Sequence, residues 1–346
     1  MRMGKVKDFA DRGKSVAGYD HYLALEWSLA KMVLARQSKR GGQPRLYEGS
    51  SDIREIKEVL KKIGGTKILT VEESGSAHWL YLELTDYVDR ILVCNPHHNR
   101  LLSNGPKTDR IDALKLCELL RAGLLKEVYH ADNGLYELRN LVSAYVDVVQ
   151  AGVRAKNQRA AMAIGHRNDG KHAPFIGSVL DENIALYERN KAEYEKRFTK
   201  LVRRNMLLRY QDQIHGIGDI GAVKILATVV DARRFATKGR YWSYCGLVKH
   251  EKESGGRKYG RRRGRYNRVL KEVYRTATKA ALRGNNPIRE YYEVLCERGM
   301  AEPDALNAVA RYIAGVSYGM LKSGKPYEPY RWKHADQEET TKATAM

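Results

Sequence analysis

Four acidic residues in the first third of the chain have types and positions suited to phosphodiester chemistry. Glu26 lies inside one apolar run that predicts a strand, and Glu72 ends a second such run. Asp109 and Asp112 are three residues apart in KTDRIDALKLCELLR, so they share one face of a predicted helix. Two Mg²⁺ ions about 4 Å apart need several oxygen ligands to clamp the attacking and leaving oxygens of a phosphodiester. We predict that these carboxylates bind divalent cations, Mg²⁺ or Mn²⁺.

Spacing alone does not separate these acids from their neighbours. An exposed Asp or Glu usually only solvates a surface, and Asp109 near a helix start also complements the helix dipole. Glu26, between Leu25 and Trp27, is harder to explain in that way, because a buried carboxylate is costly unless it is paired or bound to metal. The competing acids in the same region are Asp20, Glu73, Asp86 and Asp89.

A serine in a basic segment suggests a second kind of chemistry. Ser254 precedes Gly255 and Gly256, and seven Arg or Lys follow between 257 and 268. A hydroxyl on a glycine turn among guanidinium groups fits attack on a phosphate. From the residues alone a simple phosphate-contacting turn is the better interpretation, because the nearest bases, His215 and His250, are not fixed beside the serine. The predicted contacts to nucleic acid are Arg257, Lys258, Arg261, Arg262, Arg263, Arg265 and Arg268.

The charge of the chain indicates a polyanionic partner. It carries 62 Lys and Arg against 41 Asp and Glu, a formal net charge of +21, and residues 233–283 contribute +14 of that excess. No amphipathic basic helix, lipidation signal or long apolar run favours a membrane. The four cysteines lack the spacing of a zinc site or a disulfide framework. We expect a cytoplasmic, nucleoid-associated protein that binds nucleic acid.

The first part of the chain predicts a mixed α/β fold. Three short β-favouring runs form an antiparallel meander, and strands and helices then alternate as in βαβα units. The predicted strands are 22–28, 31–37, 43–48, 67–73 and 90–95, and the predicted helices are 52–63, 76–87 and 109–122.

After residue 132 the sequence pattern becomes one that is typical of long helices. Apolar residues at three-four spacing and Tyr187, Tyr194, Leu201 and Leu208 at seven-residue spacing predict two long helices broken at 166–178. They form either a coiled-coil arm that mediates self-association or an ordinary core pair.

A glycine-rich turn opens the third part of the chain. IHGIGDIGAVKILATV suggests a helix-hairpin-helix motif, with Gly216 and Gly218 presenting backbone N–H groups to a phosphate. A plain glycine turn between packed helices explains the same pattern. Tyr259, Tyr266 and Trp242 are candidates for stacking on unpaired bases, although aromatic residues at such spacing are more often core residues.

Several motifs in order resemble a known family, the IS110 insertion-sequence transposases, relatives of the Piv DNA invertase. They are VEESG, VCNPHHNRLL, KTDRIDALKLCELLRAG, IHGIGDIGAVKILA, YCGLVKHEKESGGRKYG and KSGKPYEPY. The resemblance implies a domain similar to the resolvase RuvC, with an Asp-Glu-Asp-Asp metal tetrad that matches Glu26, Glu72, Asp109 and Asp112. It implies that Ser254 is the nucleophile of a composite site shared between subunits, and that a structured bridge RNA guides the enzyme.

This chain departs from the family pattern at three places, one of which is the segment GRRRGRYNRVLK, whose phase differs slightly from the common pattern. Glu26 stands where the family has Asp, and its extra methylene shifts the carboxylate in a site that demands near-octahedral geometry. Lys249 stands where Pro is usual.

The sequence therefore predicts an α/β plus α protein that cuts and rejoins DNA as a dimer or tetramer. The predicted parts are a RuvC-like domain (1–131), a helical connector (132–213), a basic serine domain (214–332) and a disordered tail (333–346). The alternatives are a structure-selective DNA nuclease and an inactive nucleic-acid-binding remnant.

Overall fold

The structure is a computed structural model that describes residues 15–96, 108–130, 134–162, 164, 170–262 and 264–333. Its contacts divide the chain into two units, Met1–Gly134 and Leu135–Met346. Each unit has its own hydrophobic core. The predicted Arg263 contact and residues 334–346 of the predicted tail lie outside the described residues.

The described part of the first unit contains a six-stranded mixed sheet of order β3-β2-β1-β4-β5-β6. The pairs β1–β4 and β4–β5 are parallel, and the other neighbours are antiparallel. This confirms the predicted mixed α/β fold, and it is consistent with a RuvC-like domain. The short last strand was not predicted, because two residues carry no periodicity. The strands are β1 (His21–Trp27), β2 (Lys31–Ser38), β3 (Gly41–Ser50), β4 (Lys67–Glu72), β5 (Arg90–Cys94) and β6 (Glu127–Val128).

Helices cover both faces of this sheet. The helices α1 (Ile53–Lys61) and α2 (Ala77–Leu84) pack on the face that carries Leu25 and Val71. The helix α3 (Asp109–Arg121) packs on the opposite face. The central strands are buried on both sides, which is why they read as continuous apolar runs rather than as alternating ones.

The second unit begins with two long antiparallel helices, α4 (Tyr136–Met162) and α5 (Ala173–Arg204). Arg159 near the end of α4 pairs with Asp181 near the start of α5, at 2.9 Å, and Tyr145 near the start of α4 bonds Glu195 at 2.8 Å. The prediction of a break extending to residue 178 was wrong. The second helix begins earlier because its Pro174 occupies the first turn, where a fixed φ suits a helix and no N–H is needed.

The remaining helices form one core with the base of this pair. Phe198 of α5 is fully buried in the same cluster as Tyr241 and Tyr274. In the described chain, no helix is both long enough and apolar enough to span a membrane. The further helices are α6 (Met206–Asp212), α7 (Gly218–Val229), α8 (Lys238–Tyr244), α9 (Arg268–Ala281), α10 (Pro287–Glu297) and α11 (Glu302–Ser323).

A β-hairpin interrupts these helices, formed by β7 (His250–Ser254) and β8 (Arg257–Arg262). Its two turn residues, Gly255 and Gly256, have φ of 58° and 74°. Positive φ at both positions defines a type I′ turn, whose twist matches that of the paired strands. This hairpin was not predicted from the sequence, although a Gly-Gly pair is a recognised signal for one.

Candidate functional site

Two of the predicted metal ligands stand side by side on neighbouring parallel strands. Leu25 of β1 pairs with Val71 of β4, and Glu26 and Glu72 are the next residue on each strand. Side chains alternate between the two faces of a strand, so both acids share the face that α3 covers. Both are half-buried.

The first turn of α3 lies at the same level of the sheet as Glu26. Arg110 in that turn forms an ion pair with Glu48 of β3, with Nε and Oε1 2.7 Å apart. Glu48 is the register partner of Val33, and Val33 is the register partner of Glu26. The helix therefore starts above the end of β1 that carries Glu26.

Asp109 and Asp112 begin this helix on the side that faces the sheet. They precede the buried Ala113 and Leu116 by one turn each, and residues four apart share a helix face. Thr108 caps the helix by accepting a hydrogen bond from the N–H of Ile111 at 3.3 Å. Asp112 is half-buried and Asp109 is exposed, so both remain open to solvent or ligand.

The four predicted acids thus lie on one side and at one end of the sheet, but their side chains do not enclose a common point. Among the described residues, no three Asp, Glu, His or Cys side chains are placed to hold a metal ion. The donor chemistry of four carboxylates fits Mg²⁺ or Mn²⁺. Binding at this place requires their side chains to turn towards one another.

The competing acids lie elsewhere. Asp20 accepts hydrogen bonds from the backbone N–H and hydroxyl of Thr66, which hold the pKa of its carboxyl below the usual value. Asp89 accepts from the N–H of Lys67 at 2.7 Å. Both contacts secure the start of β4, whereas Glu72 stands at its end. Asp86 is exposed after α2.

The fourth competitor, Glu73, is half-buried and begins a hydrogen-bonded network of side chains that was not predicted from the sequence. Its Oε2 lies 2.6 Å from Nε2 of His130, and Nδ1 of His130 lies 2.9 Å from Nδ1 of His78. Both imidazoles are buried, and Tyr81 stacks against His78. This hydrogen-bonded network connects the end of β4 to α2 and to the segment after β6. Its members are too far apart in sequence for spacing to have shown it.

Ser254 is exposed at the end of β7, where it pairs with Arg257 across the glycine turn. All residues from 253 to 260 are exposed, so the tip of the hairpin is accessible to a large polyanion. Lys258 forms an ion pair with Glu251 at 2.6 Å. Arg261 and Arg262 lie on β8, Arg265 is exposed beyond it, and Arg268 is exposed at the start of α9.

Two of the three predicted stacking residues, Tyr266 and Trp242, already make specific contacts within the second unit. Tyr266 packs against Gly246 and lies under the ammonium of Lys271, whereas Tyr259 is 67% exposed. Trp242 is half-buried and donates a hydrogen bond to the carbonyl of Arg311 at 2.8 Å.

Gly216 of the predicted helix-hairpin-helix motif serves close packing. Its φ is 90°, and a Cβ at this position would lie 2.1 Å from the backbone oxygen of Ala277 in α9. Gly218 has φ of 63° at the start of α7, and a Cβ there would meet no atom within 4 Å. Helix packing is therefore a sufficient reason for Gly216, and contact of either glycine with a phosphate stays a prediction.

The two glycines give a matched test of this packing. We expect Gly216→Ala to lower the free energy of unfolding by roughly 2–5 kcal/mol, because left-handed strain and a backbone clash add. Gly218→Ala has only the strain and should cost about 1 kcal/mol. Urea unfolding followed by circular dichroism measures both. Equal losses in the two variants would contradict the assigned packing role.

Two family profiles match this chain. One, described as a transposase and labelled DEDD_Tnp_IS110, covers residues 30–163, and the other, described as Transposase IS116/IS110/IS902 family, covers residues 209–293. The chain carries the transposase domains of the IS110/IS116 family. Glu72, Asp109 and Asp112 lie within the first match and Ser254 within the second, whereas Glu26 precedes the first.

Individual relatives agree with the family profiles. A 43.6 kDa protein of insertion element IS110 from Streptomyces coelicolor is 29% identical over 44% of this chain and 38% of its own length. A 44.8 kDa protein of insertion element IS116 from Streptomyces clavuligerus is 26% identical over 45% of this chain and 39% of its own. The protein y4qE of Sinorhizobium fredii, which carries the name of a transposase, is 24% identical over 90% of this chain and 92% of its own. The alignments thus span less than half of the two Streptomyces proteins, and transposases as a class cleave DNA and transfer strands.

Proposed function

We propose that this chain is the transposase of an insertion sequence, an enzyme that cleaves and rejoins DNA strands. Its acids are Glu26, Glu72, Asp109 and Asp112, and its nucleophile is Ser254. The observation that carries the proposal is the arrangement of the acids, two on adjacent parallel strands and two in the helix turn above them. The runner-up functions, a junction nuclease and an inactive binding protein, are outcomes of the test below.

The acids have the role of holding divalent ions beside a DNA phosphate. Such ions, when bound, neutralise charge that develops on the phosphate and on the leaving oxygen. Glu26 and Glu72 are half-buried on strands, so the sheet limits their movement, whereas Asp109 and Asp112 lie on a helix turn. Side chains on strands and helices hold a bound ion in a more precise position than side chains on loops do.

Ser254 has the role of forming a temporary bond with DNA. Its Oγ attacks the phosphorus, the bond from phosphorus to the deoxyribose oxygen breaks, and the proton of Ser254 passes to solvent while the leaving oxygen gains one. The hydroxyl of another strand then attacks the phosphoserine and releases Ser254. The phosphodiester energy is conserved, so no nucleotide cofactor is required. The exposed position of Ser254 at the end of β7 supports this role.

A guide RNA and self-association complete the proposal. The net +14 of residues 233–283 suits an RNA recognised by backbone and shape. The α4–α5 pair is the element proposed to join subunits into a dimer or tetramer as a coiled-coil arm. Phe175 and Ile164, 70% and 76% exposed near its turn, support this assignment. The predicted division into a RuvC-like domain (1–131), a helical connector (132–213) and a basic serine domain (214–332) remains part of the proposal.

The salt dependence of binding tests the hairpin and the segment after it as a phosphate-binding surface. We expect the double variant Arg257→Gln, Arg265→Gln to reduce the slope of log affinity against log salt by about 2, since each phosphate contact contributes about 1. Filter binding at several salt concentrations measures the slope. Arg189→Gln, an exposed Arg on α5, is the matched control. An unchanged slope in the double variant would remove this surface from the proposal.

The reaction is tested with a four-way DNA junction, Mg²⁺ and RNA transcribed from the sequence that flanks the gene. A protein-linked DNA species and rejoined strands on denaturing gels support the transposase. Free DNA ends without a protein link support the nuclease instead. Binding without any Mg²⁺-dependent product supports the inactive protein.

A further inference from the structure

A cavity of about 500 Å³ lies in the second unit, and none of its lining residues belongs to the hairpin that carries Ser254. It opens between α8, α10, α11 and the last described turn of the chain. Small residues on one face of α11, Ala308, Gly315 and Gly319, form its floor. Apart from Trp242, a predicted stacking residue, and Lys238 of the basic segment, none of its lining residues has been given a function above.

The lining of the cavity combines aromatic faces with positive charge. Its aromatic residues come from three helices and the C-terminal turn, and its charged residues are all cationic. Lys238 lies over the ring of Trp242 with its ammonium 5.0 Å from the centroid. The aromatic residues are Trp242, Tyr291, Tyr312, Tyr318 and Trp332, and the cationic residues are Lys238, Arg311 and Arg331.

Two polar atoms in this lining are buried and donate to no acceptor among the described residues. They are the hydroxyl of Tyr312 and Nε1 of Trp332. Burial raises the pKa of Tyr312 to about 12, so its hydroxyl stays protonated and able to donate. An indole N–H only donates, and both atoms are covered by their neighbours, so a ligand with acceptor atoms on its edge reaches them only when the lining residues shift. Buried polar atoms normally have a hydrogen-bond partner.

The surrounding structure holds this lining in place. A Cβ at Gly315 would lie 3.3 Å from Cδ of Lys238 and 3.6 Å from the ring of Trp242, so glycine lets both side chains approach α11. Glu290 of α10 accepts hydrogen bonds from Tyr330 at 3.2 Å and Lys333 at 3.1 Å. These two bonds flank Arg331 and Trp332 and fix the C-terminal turn against α10.

We propose that this cavity binds one unpaired nucleotide of a nucleic acid strand. Its base would stack on the rings of Trp242 and Tyr312, and its phosphate would contact Arg311, Arg331 and Lys238. A base offers a flat π surface and acceptor atoms on its edge, and aromatic residues bind any base in this way. The three cationic side chains of the lining match the negative charge of the phosphate. An uncharged aromatic ligand has no group that these side chains would bind. The proposal rests on the proposed function in one respect, that the partner is nucleic acid.

Filling the cavity and removing its charge test the proposal. The full chain is titrated with short fluorescent oligothymidine and oligouridine strands, and anisotropy measures the dissociation constants. We expect Gly315→Leu and Arg311→Gln each to raise them about tenfold, in line with the loss of one stacked base. Arg209→Gln, an exposed Arg of α6 outside both the cavity and the basic segment 233–283, is the control for charge and should leave them nearly unchanged. A fully abasic strand should bind wild type and Gly315→Leu equally.

A second measurement keeps the test independent of folding defects. Strands containing 5-iodouridine should crosslink on irradiation to Trp242, Tyr312 or Trp332, as mapped by mass spectrometry. Unchanged affinity in both cavity variants, or crosslinks confined to residues 250–268, would overturn the cavity proposal. The proposed transposase function would still stand if the chain cuts junction DNA. Binding of a free mononucleotide or an acidic peptide in preference to a strand would also overturn it. A wild-type chain that neither binds nor cuts nucleic acid would instead refute the proposed function.

Discussion

Ser254→Ala is expected to abolish the protein-linked DNA species, because no other atom of the variant replaces the attacking Oγ. Rejoining should be lost with it, since it proceeds through the phosphoserine. The residue is exposed, and Gly255 and Gly256 rather than the serine side chain set the turn. Fold and DNA affinity should therefore be retained. The measurement is a denaturing gel of junction DNA incubated with Mg²⁺, before and after protease treatment, compared with wild type.

Two outcomes decide the role of the serine. Ser254→Ala that still forms a protein-linked species would show that another residue is the nucleophile. Undiminished cutting to free ends by the variant would assign hydrolysis to the acids and leave Ser254 as a phosphate contact. Ser178→Ala, an exposed serine of α5, is the control and should react as wild type does.

Glu72→Gln is expected to lower the rate of Mg²⁺-dependent cleavage about a hundredfold or more, because a neutral amide binds a divalent ion poorly and stabilises less charge in the transition state. The variant keeps the shape of the side chain, so β4 and the core beside it should be unaffected. Asp112→Asn should behave alike, since Asp112 stands above the same end of the sheet. Single-turnover rates at several Mg²⁺ concentrations measure the effect.

The control for these acids is on the same helix as Asp112. Glu118 of α3 is exposed, and Glu118→Gln should cleave at the wild-type rate. A wild-type rate and an unchanged Mg²⁺ requirement in Glu72→Gln would remove the strand acids from the proposed site. Loss of cleavage in Glu118→Gln as well would point to a general effect of charge on DNA binding.

The sheet of the first unit could be predicted closely from sequence because its strands are apolar runs between clear turn signals. Strands β1 to β5 and helices α1 to α3 lie within a few residues of their predicted bounds. The hairpin of β7 and β8 was missed because its strands are polar and charged, and the side chains described from 253 to 259 are all exposed. Hydrophobic periodicity reflects burial, so an exposed hairpin does not produce the alternation of apolar and polar residues by which strands are predicted.

The sequence by itself determined the chemistry available to this protein. It contains the acids, a serine in a basic segment, and the family likeness that the two profiles confirm. Residue types, charge and local order along the chain are sufficient for these conclusions, since each depends on short segments.

Only the tertiary structure decided which groups are neighbours. Parallel pairing of β1 with β4 places Glu26 beside Glu72, although 46 residues separate them in the sequence. Glu73, the residue after β4, instead meets His130. The cavity gathers Trp242 and Trp332 from segments that share no pattern. Strand register and helix packing depend on burying the whole apolar surface at once, and no single segment contains that information.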